Sequence, residues 1–183
     1  MQSNTESNSK VHSTKTVYQS RHFRVNQVQI ERNGKQFTKD IIEETPIVIV
    51  LPYTNEQEIY LASEYRDAFG KEMLNTIGGK VEDATNLLDQ AKAELREEAG
   101  LKAATWKHVA TWETSPILKK KIFVFFASDL EETKQALEED EQITVVNFGL
   151  DEAFQKIASG EISVSFDVAA ILLFDKLRKE KKL

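Results

Sequence analysis

The sequence predicts an α/β fold, on three observations. Strand-like and helix-like segments interleave from Val17 to Lys179, an unbroken apolar run IVIVL at 47–51 suits a strand covered on both faces, and a segment near 86–99 carries one apolar stripe at helical spacing. Residues 1–15 are rich in Ser, Asn and Thr and offer little apolar surface to offset chain entropy, so they are expected as a disordered tail. From Val17 the pattern alternates through Phe23, Val25, Val28 and Ile30, meets Asn33-Gly34, and resumes at Phe37, Ile41 and Ile42. Asn-Gly tolerates positive φ at both positions, so 16–45 is expected to be an antiparallel ribbon.

After Pro46 the run at 47–51 is a candidate core strand, followed by a second strand at 58–64. Residues 73–81, which include Gly78-Gly79, read as a turn or loop feeding a helix. That helix is expected over about 86–99, capped by Thr85 or Asn86 and stopped by Gly100, with Leu88, Ala91, Leu95 and Ala99 as its buried stripe. Strands are expected at 106–112, 121–127 and 143–148, and helices at about 151–159 and 166–179. The predicted organisation is a tail at 1–15, a ribbon at 16–45 and a main domain at 46–183.

The composition narrows the function classes. The 183 residues hold 24 Lys+Arg and 30 Asp+Glu, a net charge of −6, which disfavours a nucleic-acid partner. No apolar run approaches the ~20 residues that span a bilayer and no secretory pattern opens the chain, so a cytosolic protein without a membrane partner is expected. With no cysteine, disulfides, thiolate metal sites and a thiol nucleophile are excluded, and His12, His22 and His108 have no ligand-like spacing. Any metal must therefore be held mainly by oxygen.

Oxygen ligands are concentrated on the first helix. Glu94, Glu97 and Glu98 stand at i, i+3 and i+4, which crowds three carboxylates onto one face. A hard divalent cation relieves such crowding, and Gly78-Gly79 lies one loop upstream, where a backbone without Cβ can approach a metal or a pyrophosphate. The plain alternative is a solvated acidic helix face.

The segment GGKVEDATNLLDQAKAELREEAGL resembles the Nudix hydrolase box. From Gly79 to Leu101 it spans 23 positions and matches seven of nine specified ones: Gly79, Glu94, Leu95, Glu97, Glu98, Gly100 and Leu101. Thr85 and Ala93 depart, standing where the family has a Glu and an Arg that pair with each other. Their joint loss leaves no orphan charge, and its implied effect falls on the rate. Beyond the box, the ribbon, the strand ending LPYT, the EYRDAFGKEMLNTIGGKVE approach and ALEEDEQITVV resemble the ADP-ribose and nucleoside-diphosphate-sugar pyrophosphatase branch.

The resemblance implies the Nudix fold, an α/β/α sandwich with a mixed sheet, preceded here by the N-terminal ribbon. It also implies a homodimer in which the ribbon packs on the partner. It implies Mg²⁺ or Mn²⁺ held by Glu94, Glu97 and Glu98 with the Gly78 carbonyl, and Glu94 and Glu98 acting in catalysis on a diphosphate-linked nucleotide. Glu139, with Glu141 in reserve, matches the general base, although both lie in an acidic run that equally suits solvated surface. Arg66 matches a phosphate contact, Phe23 an aromatic that stacks on the base, and Gly79 a close approach to substrate. Arg66 has ordinary alternatives as an ion-pair partner of Glu64 or Asp67, and Phe23 as a core residue. Lys119, Lys120 and Lys121 stand where relatives place an acidic residue after Ser-Pro-Gly, which suits either a solvated turn or attraction of a terminal phosphate. Two competing readings are a catalytically weakened nucleotide-sensing module, and an RNA decapping or nucleoside-triphosphate hydrolase.

Overall fold

The computed structural model describes residues 9–55, 58–81, 86–139 and 141–183. In chain order the elements are β1 (Ser9–Gln19), β2 (Phe23–Arg32), β3 (Lys35–Glu44), β4 (Ile47–Pro52), β5 (Glu58–Arg66), β6 (Lys71–Asn75), α1 (Leu87–Ala99), β7 (Leu101–Ser115), β8 (Leu118–Glu132), β9 (Ile143–Gly149), α2 (Leu150–Ser159) and α3 (Ser165–Lys179). They fall into two compact units. The first holds the described residues up to Thr45 with Glu113–Lys121, and the second holds Pro46–Trp112 with Ile122–Leu183.

In the first unit β1, β2 and β3 form an antiparallel meander. Asn33 and Gly34 make its β2–β3 turn with φ of 53° and 73°, the left-handed region that the Asn-Gly pair tolerates. β3 then pairs in parallel with the start of β8 at Ile42 and Glu43. Ser9–Gln19 is a strand, which corrects the expectation of a disordered tail to residue 15; residues 1–8 lie outside the described ones. Every residue of β1 is exposed, so it is β2 hydrogen bonding rather than apolar burial that orders it. Val11, Ile30 and Phe37 stand opposite one another across the three strands, with Val11 and Phe37 exposed.

The same unit decides the reading of the lysine loop. Lys119 Nζ is 2.8 Å from Glu43 and Lys120 Nζ 2.8 Å from Glu44. Two of the three lysines are therefore paired with carboxylates of β3, Lys119 while remaining largely solvent-exposed, which leaves less free charge for a phosphate.

The second unit shows why IVIVL is apolar throughout. β4 pairs in parallel with β8, and residues of a strand alternate between faces. Ile49 and Leu51 join Ile122, Val124, Phe126, Ala170, Ile171 and Phe174 in one core cluster, which includes α2 and α3. Val48 and Val50 point the other way and join Phe125, Ala127, Ala91 and Leu95 of α1. Helical layers thus cover both faces of the strand pair. A separate antiparallel sheet has the order β6-β5-β9 and gives up Ile59, Leu61 and Ala62 to the two clusters. β6 is an element that the loop reading of 73–81 missed. Only Met73 and Asn75 of its five residues are buried, too short a pattern to stand out, and its pairing with β5 is what makes it a strand.

Phe174 anchors α3, its ring 4.8 Å from Tyr53 and 5.6 Å edge-on to Phe126. It is 1% exposed. Phe174→Ala is expected to cost about 3–5 kcal/mol of unfolding free energy. Chemical denaturation checks this, and a loss under about 1 kcal/mol would mean that α3 does not pack in this way. No helix among the described residues is long and apolar enough to cross a membrane.

Candidate active site

α1 carries the site because its ends are fixed locally. Asn86 caps it, the side-chain oxygen accepting from Leu88 N at 2.9 Å, and Gly100 closes it at φ 61°. The alternative cap, Thr85, lies outside the described residues. Ala91 and Leu95 are fully buried, which commits the helix's rotation and turns Glu94 and Glu98 toward the 78–79 segment. That segment is held by β4: Val48 N donates to Gly79 O at 3.0 Å and Val50 N to Ile77 O at 2.7 Å.

The two carboxylates meet the two glycines. Gly78 N–H donates to Glu98 Oε2 at 2.8 Å, so the contact observed for Gly78 runs through its N–H. A Cβ on Gly79 would lie 2.7 Å from Glu94 Cδ, so the glycine makes the cradle in which that carboxylate sits. Gln90 Nε2 holds Glu94 Oε1 at 2.8 Å. Burial pushes Glu98 up to about 8 despite the Gly78 hydrogen bond, and the charges of Glu94, Glu141 and Glu64 push the same way. Burial likewise raises Glu94, with Gln90 opposing it and Glu97, Glu141 and Glu138 adding repulsion.

Glu97 is turned aside into an ion pair with Arg96. Among the described residues no three acidic or histidine side chains are gathered closely enough to hold a metal by themselves. The donor set nevertheless fits a hard divalent cation. Half-buried, mutually repelling oxygen ligands lack positive charge, and Mg²⁺ commonly takes only one or two carboxylates, completing its shell with water and substrate phosphates.

The far end of α1 organises the acidic turn. Gln135 Nε2 donates to Glu98 O at 2.5 Å and to Ile143 O at 3.2 Å, and Ala136 N donates to Glu97 O at 3.0 Å. Orphan helix carbonyls thus tie down the segment leading into 138–141. Glu139 is exposed there. The charge of Glu141 raises Glu94, Glu98 and Glu64, so the structure brings the reserve candidate into the cluster.

Arg66 ends β5, with Nη2 2.9 Å from Glu64 and Nε donating to Asn75 Oδ1 at 3.2 Å. The expected ion pair with Glu64 is therefore present. The sequence marks Glu64 only as an ion-pair partner of Arg66; burial raises it, with Arg66 opposing, and it acts on Glu98. A glutamate within a strand has no periodic signal that marks it as functional. Phe23 opens β2 in the first unit, 37% exposed and 5.6 Å from Tyr18, so it is not a core residue.

Comparison with known proteins bears on this arrangement. A family model described as NUDIX domain matches residues 43–166. A methanol dehydrogenase activator of Bacillus methanolicus is 30% identical over 142 residues, 76% of this chain and 77% of that protein. An ADP-ribose pyrophosphatase of Bacillus subtilis (strain 168) is 28% identical over 155 residues, covering 81% and 84%. A crystal structure of an ADP compounds hydrolase superposes with a TM-score of 0.83, covering 96% of this chain and 97% of the other at 21% identity, a likeness of fold.

Proposed function

The chain belongs to the NUDIX domain family, and from that premise we propose that it is a divalent-metal-dependent pyrophosphohydrolase of ADP-ribose or a related nucleoside-diphosphate sugar. Water adds to one phosphorus of the diphosphate, the bridging P–O bond breaks, and a nucleoside monophosphate and a sugar phosphate leave. The observation that carries the reading is the pair of half-buried, mutually repelling carboxylates, Glu94 and Glu98, against the Gly78–Gly79 backbone. Similarity to ADP-ribose pyrophosphatases supports the substrate class.

Glu94 and Glu98 would hold Mg²⁺ or Mn²⁺, with the Gly78 carbonyl and, after leaving Arg96, Glu97. When bound, such an ion acidifies water and neutralises charge that develops on phosphoryl oxygens. Arg66 offers planar N–H groups to the diphosphate from an orientation fixed by Glu64 and Asn75. Gly79, lacking a Cβ, lets its own main chain approach the diphosphate beside Glu94, and the ribbon's Phe23 is assigned to stacking on the base. The proton of the attacking water goes to a carboxylate of the 138–141 turn. Glu141 is favoured over Glu139 by its electrostatic reach to Glu94 and Glu98. Glu141→Gln is expected to lower kcat at least about a hundredfold and Glu139→Gln to leave it within a few fold; the reverse would return the base to Glu139. The apolar row Val11–Ile30–Phe37, exposed at Val11 and Phe37, supports a homodimer through the ribbon, and light scattering at the monomer mass would remove that assignment.

A panel of ADP-ribose, ADP-glucose, UDP-glucose, GDP-mannose, FAD, dinucleoside polyphosphates and dGTP, with Mg²⁺ or Mn²⁺, tests the reaction through phosphate released after phosphatase coupling. Turnover of a diphosphate-linked sugar that vanishes in Glu98→Gln is expected. A second reading, a nucleotide-binding module with weakened catalysis, is favoured by the engagement of Glu97 with Arg96 and by Ala93. Silence across the panel with a thermal shift from one nucleotide would select it.

A further inference from the structure

Asp167 is fully buried, and a carboxylate has no place in a core unless its oxygens are taken up. Its position in the first turn of α3 suits the helix dipole but explains neither its burial nor its partners. Oδ1 accepts from Thr76 N at 3.2 Å and Thr76 Oγ1 at 2.5 Å, while Oδ2 accepts from Asn75 Nδ2 at 2.8 Å. Asn75, also buried, turns its Oδ1 to Arg66 Nε at 3.2 Å. The chain of contacts runs from the start of α3, across the end of β6, to the end of β5.

We propose that Asp167 is a positioning residue that sets the Arg66 guanidinium for the substrate diphosphate by fixing which way the Asn75 amide points. This rests on Arg66 being a phosphate contact, as proposed above. A carboxylate only accepts hydrogen bonds and a guanidinium only donates them. Between the two, the Asn75 amide has one permitted orientation, NH₂ toward Asp167 and oxygen toward Arg66. In Asp167→Asn the new amide must keep its oxygen on the Thr76 donors, so its NH₂ faces the NH₂ of Asn75. Relieving that clash flips Asn75 and sets its NH₂ against Arg66 Nε–H. Exchanging the two residues, Asp167→Asn with Asn75→Asp, restores a consistent pattern: the amide now on α3 donates to the carboxylate now on β6, and that carboxylate accepts from Arg66.

Two measurements on the full chain test this: hydrogen exchange of the Arg66 Nε–H by ¹⁵N NMR, and the Kd of the non-hydrolysable α,β-methylene analogue of ADP-ribose by calorimetry. Asp167→Asn is expected to speed the exchange and raise Kd about ten- to a hundredfold, and the double exchange to restore both. A residue that merely supported the fold would lower the melting temperature without this pattern of loss and rescue. Should Asp167→Asn fail to fold, Asn75→Ala keeps the two Thr76 donors on Asp167, removes the bridging amide with its bonds to both Asp167 and Arg66, and is expected to show the same changes. Unaltered Nε–H exchange in the folded variants overturns the relay whatever the substrate. Altered exchange with Kd unmoved, in a protein where Arg66→Ala raises Kd, overturns its link to substrate. Kd unmoved by Arg66→Ala, or no binding by the wild type, counts instead against the proposed role of Arg66, and exchange alone then decides the relay.

Discussion

In a Glu98→Gln variant, turnover is expected to fall by on the order of a thousandfold while the metal-free protein becomes more resistant to heat at pH 8. Loss of one anionic oxygen ligand removes a few kcal/mol of charge stabilisation at the phosphoryl group, and about 1.4 kcal/mol corresponds to tenfold in rate. The gain in stability has the opposite origin. Burial raises the Glu98 pKa from 4.5 to about 8, so without a cation the ionised side chain is a burden to the native state. For a raised pKa the stabilising contribution is complete below the unfolded value and is lost as pH rises through the folded one. The window is therefore from about 4.5 to about 8. At its upper end the cost reaches about 4 kcal/mol, on the order of 10 °C in Tm for a chain of this size. Glutamine keeps an acceptor for the Gly78 N–H and cannot ionise. Melting curves from pH 5 to 8 with chelator, then with Mg²⁺, check this: wild type should lose stability with pH and regain it with Mg²⁺, and the variant should do both to a smaller extent, since Glu94 and Glu64 are raised as well. Parallel pH profiles for the two proteins would show that Glu98 is not the half-buried charge described.

Gly78 and Gly79 are expected to fail in different ways when changed to alanine. At Gly78, φ is 153°, and a Cβ would sit 2.9 Å from Ile49 Cα and closer still to the Val48 carbonyl oxygen. Those are main-chain atoms of β4, a strand buried along most of its length, and they cannot retreat. Overpacking and backbone strain together should cost Gly78→Ala about 2–6 kcal/mol, much of the stability of an ordinary domain. At Gly79 the obstacle is the end of the Glu94 side chain, which can rotate away. Gly79→Ala should therefore melt near wild type but lose about a hundredfold in kcat/KM, because Glu94 is displaced from its ligand position. Equal melting losses in the two variants, or full activity in Gly79→Ala, would contradict the described packing of Glu94 on Gly79.

Helix α1 shows how much was legible without coordinates. Its cap at Asn86, its buried Ala91 and Leu95 and its stop at Gly100 follow from hydrogen bonding and side-chain periodicity within a few residues. The double-sided burial of 47–51 follows from composition alone, since β4 has core clusters on both faces. The same local logic put Glu94, Glu97 and Glu98 on one face, yet only Glu94 and Glu98 meet the glycines, because Arg96 next door offers Glu97 a partner.

Strands β1 and β6, the pairing of Lys119 and Lys120 with β3, the entry of Glu64 and Glu141 into the acidic cluster, and the relay from Asp167 to Arg66 were decided by the tertiary structure. Asp167 and Asn75 stand 92 positions apart. No period, cap or turn signal spans such a separation, so the residue reads locally as an acidic helix start. The sequence determined by itself what is settled within a turn of helix or one strand's alternation: the α/β class, the core strand and the glutamate-bearing helix. Which charges face one another was left to the packing of distant segments, because burial and mutual distance set the energy of a carboxylate and neither exists until the chain has folded.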